Sequence, residues 1–218
     1  PSRVEHLTLL DVVNPSKELS NDPRVTILTG DITDRLLLEK AISVSTDSIF
    51  HFAAIVSSGA EKDFDLGMSV NLDATRAILD ICRGHETKPK LIFASSCAAF
   101  GGDMPNIIAD MTARTPQTSY GTQKVIGELL VNDFSRKGFV DGRALRFPTV
   151  VVRPGKPNKA ASTFASSIVR EPLQGQTAIC PVSPESKMFL ASPRSIIENV
   201  VRAHNLMEDE WGQSREVT

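Results

Sequence analysis

Tyr120 is the only tyrosine in the chain, and Lys124 follows it by four residues. On a helix that spacing stacks the two side chains on one face. A phenol titrates near ~10, too high for a base at neutral pH. A lysine ammonium beside it favours the phenolate, and so does any second cation in a dry cleft. Lowering the pKa by roughly three units takes about 4 kcal/mol, within reach of two such charges. The pair is therefore a candidate for proton transfer at an alcohol or carbonyl. The plainer alternative is an ordinary surface pair. Ser96 sharpens the reading, because it ends the run Phe93-Ala94-Ser95-Ser96, 24 residues before Tyr120. A hydroxyl there can hold a substrate oxygen against the phenol. Capping the strand end is the alternative for Ser96, and more so for Ser95.

Such a constellation needs a rigid frame, and the sequence supplies one. Leu7–Asp11 reads as a strand ending in an acid, and residues 24–29 as a second, followed by Gly30 and Asp31. Residues 48–52, 90–95 and 143–152 read as further strands. Thr33 can cap a helix through Leu36, Leu37 and Ile42, and residues 66–83, 119–136, 162–170 and 193–207 have helical spacing. Strands alternating with helices imply right-handed crossovers and a parallel sheet. The expected fold is α/β, a Rossmann-type doubly wound parallel sheet with a smaller C-terminal substrate-binding part. Ligands of such sheets bind beyond the carboxyl ends of the strands. That edge collects Asp11, Asp31, Phe52, Ala53, Ala54, Ser95, Ser96, Pro148 and Thr149.

A dinucleotide-binding sheet of this order should open with a strand and a glycine-rich turn. None of the 13 glycines forms that fingerprint in the first 30 residues. The N-terminal strand and its turn are therefore expected to be missing from this chain. That strand is central in the sheet order, so a sheet without it is split. The Pro/Gly-rich stretch 153–158 divides a dinucleotide-binding domain, residues 1–152, from substrate-facing segments and returning helices, residues 153–218. The second part is expected to be incomplete.

Composition narrows the function classes. The chain has 218 residues, 41% of them hydrophobic, enough for a sizeable core. Its 24 basic and 26 acidic residues are interspersed, so neither a nucleic-acid footprint nor an acidic tail is present. No run of about 18 apolar residues suggests a membrane span. Cys82, Cys97 and Cys180 are scattered singly, as reduced thiols of a cytoplasmic protein are. His6, His51, His85 and His204 lack metal-ligand spacing, so no metal is expected. Cys97 invites a nucleophile reading, but no base accompanies it in sequence.

Strand-Ser-Ser, then Ser-Tyr-Gly-Thr-Gln-Lys, then Arg-Phe-Pro-Thr-Val resembles the extended short-chain dehydrogenase/reductase family, the NAD-dependent epimerase/dehydratase group. The resemblance runs from about Leu7 to at least His204. It implies Tyr120 as acid/base, Lys124 as its electrostatic partner and ribose ligand, and Ser96 as the substrate-orienting hydroxyl. It also implies NAD as the cofactor. Asp11 would then hold the adenosine ribose and repel a 2′-phosphate, or serve only as a turn acid. Asp31 and Ile32 would meet the adenine, and Phe52, Ala53 and Ala54 would let the chain approach the cofactor. Asn71 would lie near the nicotinamide ribose, its alternative being a solvent-facing helix residue. Pro148 and Val150 would line the carboxamide. His51 reads as a packed strand-end residue.

Within the family, the stretch 138–162 is most similar to dehydrogenases of a small sugar acid. Arg153, Lys156 and Lys159 could receive such an acid, or could be solvated loop charges. The expected activity passes a hydride from C2 of a four-carbon sugar acid to NAD, turning the C2 hydroxyl into the 2-oxo group. The alternatives are a sugar-nucleotide epimerase or dehydratase with tightly bound NAD, and a non-catalytic dinucleotide sensor. Val125, Ile126, Leu129, Leu130 and Val131 occupy more than one face of their helix, which points to a homodimer.

Overall fold

A computed structural model describes residues 4–152 and 161–218. Strands β1 (Leu7–Asp11) and β2 (Val25–Thr29) form a parallel ladder from Leu7↔Val25 to Asp11↔Thr29. Strands β3 (Ser48–His51), β4 (Lys90–Ser96) and β5 (Asp141–Phe147) are also parallel. The short β6 (Thr149–Val150) pairs with β7 (Leu190–Ala191), and β8 (Glu216–Val217) extends the larger sheet beyond β5. The larger sheet therefore has the order β3-β4-β5-β8. Between β1 and β3 the ladder is interrupted among the described residues.

The helices in chain order are α1 (Lys17–Ser20), α2 (Arg35–Ala41), α3 (Ser57–Lys62), α4 (Phe64–Gly67), α5 (Ala74–Arg83), α6 (Ser119–Arg136), α7 (Phe164–Leu173), α8 (Pro193–Asn205) and α9 (Glu208–Trp211). Strand alternation sorts them onto two faces. Leu91 and Phe93 of β4 and Ala144 of β5 pack with Leu38, Ile78, Leu79 and Val131, from α2, α5 and α6. Ile92 and Leu145 face the other way, onto Ile196, Val200 and Ala203 of α8. Leu10 of β1 and Ile49 of β3 pack against the same first cluster, so one core serves both sheet fragments. Helices on both faces of a parallel sheet make the fold doubly wound.

Several boundaries differ from expectation for physical reasons. The strand expected over 143–152 breaks at Pro148, which has no N–H for the ladder. The helix expected from residue 66 starts at Phe64 and widens into π-helical turns over Met68–Asp73. That stretch carries Asn71, whose side chain bonds both backbone groups of Ile55. The helix near 162–170 runs instead over Phe164–Leu173, and α8 stops at Asn205.

α6 matches its expected limits, and its start is held from two sides. The Thr118 hydroxyl accepts from Gly121 N at 3.0 Å, and the Glu61 carboxylate of α3 accepts from Ser119 N at 2.5 Å. Both satisfy donors that a helix start leaves free. Gly127 lets the helix lie on β4, since a Cβ there would sit 2.6 Å from the Phe93 ring.

Candidate active site

Tyr120 and Lys124 lie in the first turns of α6, and Ser96 is the last residue of β4. The Ser96 hydroxyl accepts from Ala98 N at 3.1 Å, which turns the chain sharply at the strand end. The same side chain lies close enough to the Tyr120 phenol to favour its ionised form. The structure thus brings together two residues 24 positions apart, on adjoining elements. Lys124 is buried, with Nζ 4.8 Å from the centre of the Phe93 ring and 5.7 Å from that of Tyr120.

The surroundings of the phenol within the chain do not by themselves favour its ionised form. Burial raises the Tyr120 pKa above its ordinary value, the Ser96 side chain opposes that rise, and Cys97 adds to it. The anticipated lowering is therefore not achieved by Lys124 alone. Burial also penalises the ammonium, bringing Lys124 down to about 8. Among the described residues Lys124 has no ion pair, and it meets aromatic faces instead. Cys97 is likewise held protonated, its pKa raised chiefly by burial.

The other expected positions are distributed along the strand ends. Asp11 is exposed, and its Oδ1 accepts from Val13 N at 3.1 Å. One Asp31 oxygen accepts from both N and Oγ1 of Thr33 at 2.9 Å, which holds the carboxyl below its ordinary range. Ile32 is half-buried against the first core cluster. Phe52 is exposed, with its ring 6.2 Å from that of Phe147; Ala53 is exposed and Ala54 half-buried. Pro148 and Val150 are half-buried, Val150 against the second cluster. Arg153, Lys156 and Lys159 lie outside the described residues.

Asn71 does not face solvent. It is buried, and Nδ2 donates to Ile55 O at 2.9 Å and to Gln123 Oε1 at 2.7 Å. The asparagine thereby ties the segment after β3 to α6. His51 is buried against Thr75 Oγ1 at 2.9 Å, and burial together with the Lys124 charge lowers it to about 3. It stays neutral at working pH.

Sequence reasoning missed Glu128, Arg146, Arg114 and Glu216, which form an ionic cluster behind the site. One signal was available: Arg146 interrupts the apolar run Ala-Leu-Arg-Phe, and Glu128 repeats the Tyr120–Lys124 spacing once more.

The residues present suit a dinucleotide. Lys124 presents a cation without a carboxylate partner among the described residues, ready for hydroxyl groups. Small side chains at Ala53 and Ala54 follow the end of β3, and the exposed carboxylate of Asp11 ends β1. Among the described residues no group of side chains could hold a metal ion, and no helix is long and apolar enough to cross a membrane.

The chain is 52% identical over 217 residues to D-erythronate dehydrogenase of Cupriavidus necator, covering 100% of this chain and 66% of that protein. It is 53% identical over 203 residues to D-erythronate dehydrogenase of Haemophilus influenzae, covering 93% and 64%. The chain thus spans about two thirds of the length of these curated relatives, 66% and 64%. A crystal structure described as a nucleoside-diphosphate-sugar epimerase from Agrobacterium tumefaciens superposes with a TM-score of 0.91 at 44% identity, covering 97% of this chain and 63% of that one. Residues 3–188 match a family described as NAD dependent epimerase/dehydratase. With that match over most of its length, the chain belongs to the NAD dependent epimerase/dehydratase family.

Proposed function

We propose that the protein is an NAD-dependent dehydrogenase that oxidises D-erythronate, or a close four-carbon sugar acid, at C2 to the 2-oxo acid. The approach of Ser96 to the Tyr120 phenol, with the Lys124 ammonium 5.7 Å from the phenol ring, carries this reading. In the forward direction the Tyr120 phenolate takes the C2 hydroxyl proton. Ser96 holds the carbinol oxygen, and Lys124 stabilises the phenolate before it takes the proton. NAD, when bound, supplies the positively charged ring that accepts the C2 hydride. A second cation beside Lys124 offsets the burial that otherwise keeps the phenol protonated.

The substrate reading is supported by the two relatives named D-erythronate dehydrogenase, at 52% and 53% identity over almost the whole chain. Arg153 and Lys156 are the proposed carboxylate anchors, a guanidinium suiting a planar carboxylate through paired hydrogen bonds. Reduced-nicotinamide absorbance tests the reading. D-erythronate should give steady NADH formation, and the neutral four-carbon polyol should give little. The 44% identity to a described sugar-nucleotide epimerase supports a second reading, internal redox on retained NAD. Turnover of a sugar nucleotide without net NADH would establish that reading instead.

A homodimer and a cytoplasmic location belong to the same proposal. Phe64 and Leu129 are exposed on α4 and α6, and Phe64, Met68 and Ile126 supply the apolar part of a groove of about 570 Å³ that Glu61, Gln117 and Gln123 also line. A second copy would cover these apolar groups. Sedimentation of the full-length protein as a monomer at micromolar concentration would exclude that assembly. The three unpaired thiols, Cys82, Cys97 and Cys180, suit a reducing compartment.

A further inference from the structure

Behind the helix of Tyr120 and Lys124 lies a set of charged groups that the chemistry above does not use. Glu128 follows Lys124 by four residues, so the three side chains share one face of α6. Its carboxylate is completely buried. It accepts from Arg146 Nε and Nη2 at 2.9 Å each, from Arg114 Nη1 at 3.3 Å, and from the Ser95 hydroxyl in a short bond. Arg114 Nη1 also donates to Glu216 at 2.7 Å, and Arg146 lies 3.8 Å from the same carboxylate. Two guanidinium groups and two carboxylates thus balance.

The cluster joins α6 to β4 through Ser95, to β5 through Arg146, to β8 through Glu216, and to the segment entering α6 through Arg114. Ser95 directly precedes Ser96. Buried ion clusters are weak contributors to stability, since packed apolar side chains often do as well. What they provide instead is direction: a carboxylate with four donors tolerates little sliding of the helix over the strand.

We propose that Glu128 is a positioning residue: by gripping Ser95 and Arg146 it sets the register of the Tyr120 helix against the strand that ends in Ser96. The inference rests on Tyr120 and Ser96 being the reacting pair, as proposed above. Its test does not depend on turnover. Tyr120 is the only tyrosine in the chain, so the ring Raman doublet, which senses hydrogen bonding of the phenol, reports this one hydroxyl. Ser96→Ala supplies the spectrum of a phenol without its serine partner. Ser95→Ala removes the link between β4 and Glu128 while leaving all four charges in place. Glu128→Asp is the second variant, since it keeps the charge and draws the carboxylate back.

Either variant should move the doublet toward the Ser96→Ala spectrum. Sugar-acid turnover should fall roughly tenfold, less than the ~10²-fold that a 1 Å misplacement can cost, with NADH affinity retained. A purely structural cluster predicts a lower melting temperature with the wild-type doublet and wild-type kcat, and that result overturns the proposal. A shifted doublet in a protein whose wild type oxidises no sugar acid would uphold the positioning role and remove the dehydrogenase reading.

Discussion

Gly121 and Ala98 are in such close contact that a Cβ on Gly121 would overlap the Ala98 carbonyl oxygen. Gly121 follows Tyr120, and Ala98 lies in the turn that Ser96 caps. The approach of these two backbones is what allows the phenol to reach the serine. Gly121→Ala must push α6 away from that turn. We expect a loss of about 1–3 kcal/mol in stability, typical of overpacking, and a fall in kcat of at least about tenfold. Thermal melting and turnover on one preparation check this. Unchanged values of both would mean the helix start tolerates a wider seat.

Lys124 predicts a conflict between stability and function. Burial lowers its pKa from 10.5 to about 8. Between those values the unfolded chain binds more protons than the folded one, so stability rises with pH across that window. Below about pH 8 both states are protonated and the full penalty is present, roughly 3 kcal/mol at ~1.4 kcal/mol per pH unit. Lys124→Met should therefore be more stable than wild type near neutral pH, by about 2 kcal/mol, and inactive. Its stability should also lose the rise above about pH 8. Denaturant melts of the cofactor-free protein at neutral and alkaline pH measure both effects. A Lys124→Met protein less stable than wild type would show that the ammonium has a partner that stabilises it.

The alternation of strands and helices was readable because each element buries a face with its own period. The helical spacing over Ser119–Arg136 marks that helix to the residue. Tyr120, Lys124 and Ser96 were legible from residue type and spacing. The direction of the Tyr120 pKa was not, because it depends on how deeply the phenol is buried. The Glu128–Arg146 pair was not legible either. Its partners meet only when α6 crosses back over β5, and nothing local announces that meeting. Asn71 is a similar case: its amide is spent on Ile55 and Gln123, contacts 16 and 52 residues away in sequence.

Cofactor choice should follow Asp11. The carboxylate is exposed at the end of β1, where an acid repels a ribose 2′-phosphate. Wild type should prefer NAD, and Asp11→Ser should raise the NADP to NAD ratio of kcat/KM by roughly tenfold, about 1.4 kcal/mol. Equal use of both cofactors by wild type would place Asp11 outside the ribose site.

The central claim is that the single tyrosine performs the proton transfer. Tyr120→Phe keeps the ring that Lys124 faces and removes only the hydroxyl that lies by Ser96. The decisive measurement is the rate of NADH formation from D-erythronate by this variant, with NADH binding followed in parallel by its fluorescence. We predict unchanged binding and a kcat reduced by about 10²- to 10⁴-fold, the usual worth of general acid-base assistance. A variant that binds NADH and retains more than about a tenth of the wild-type kcat would contradict the account.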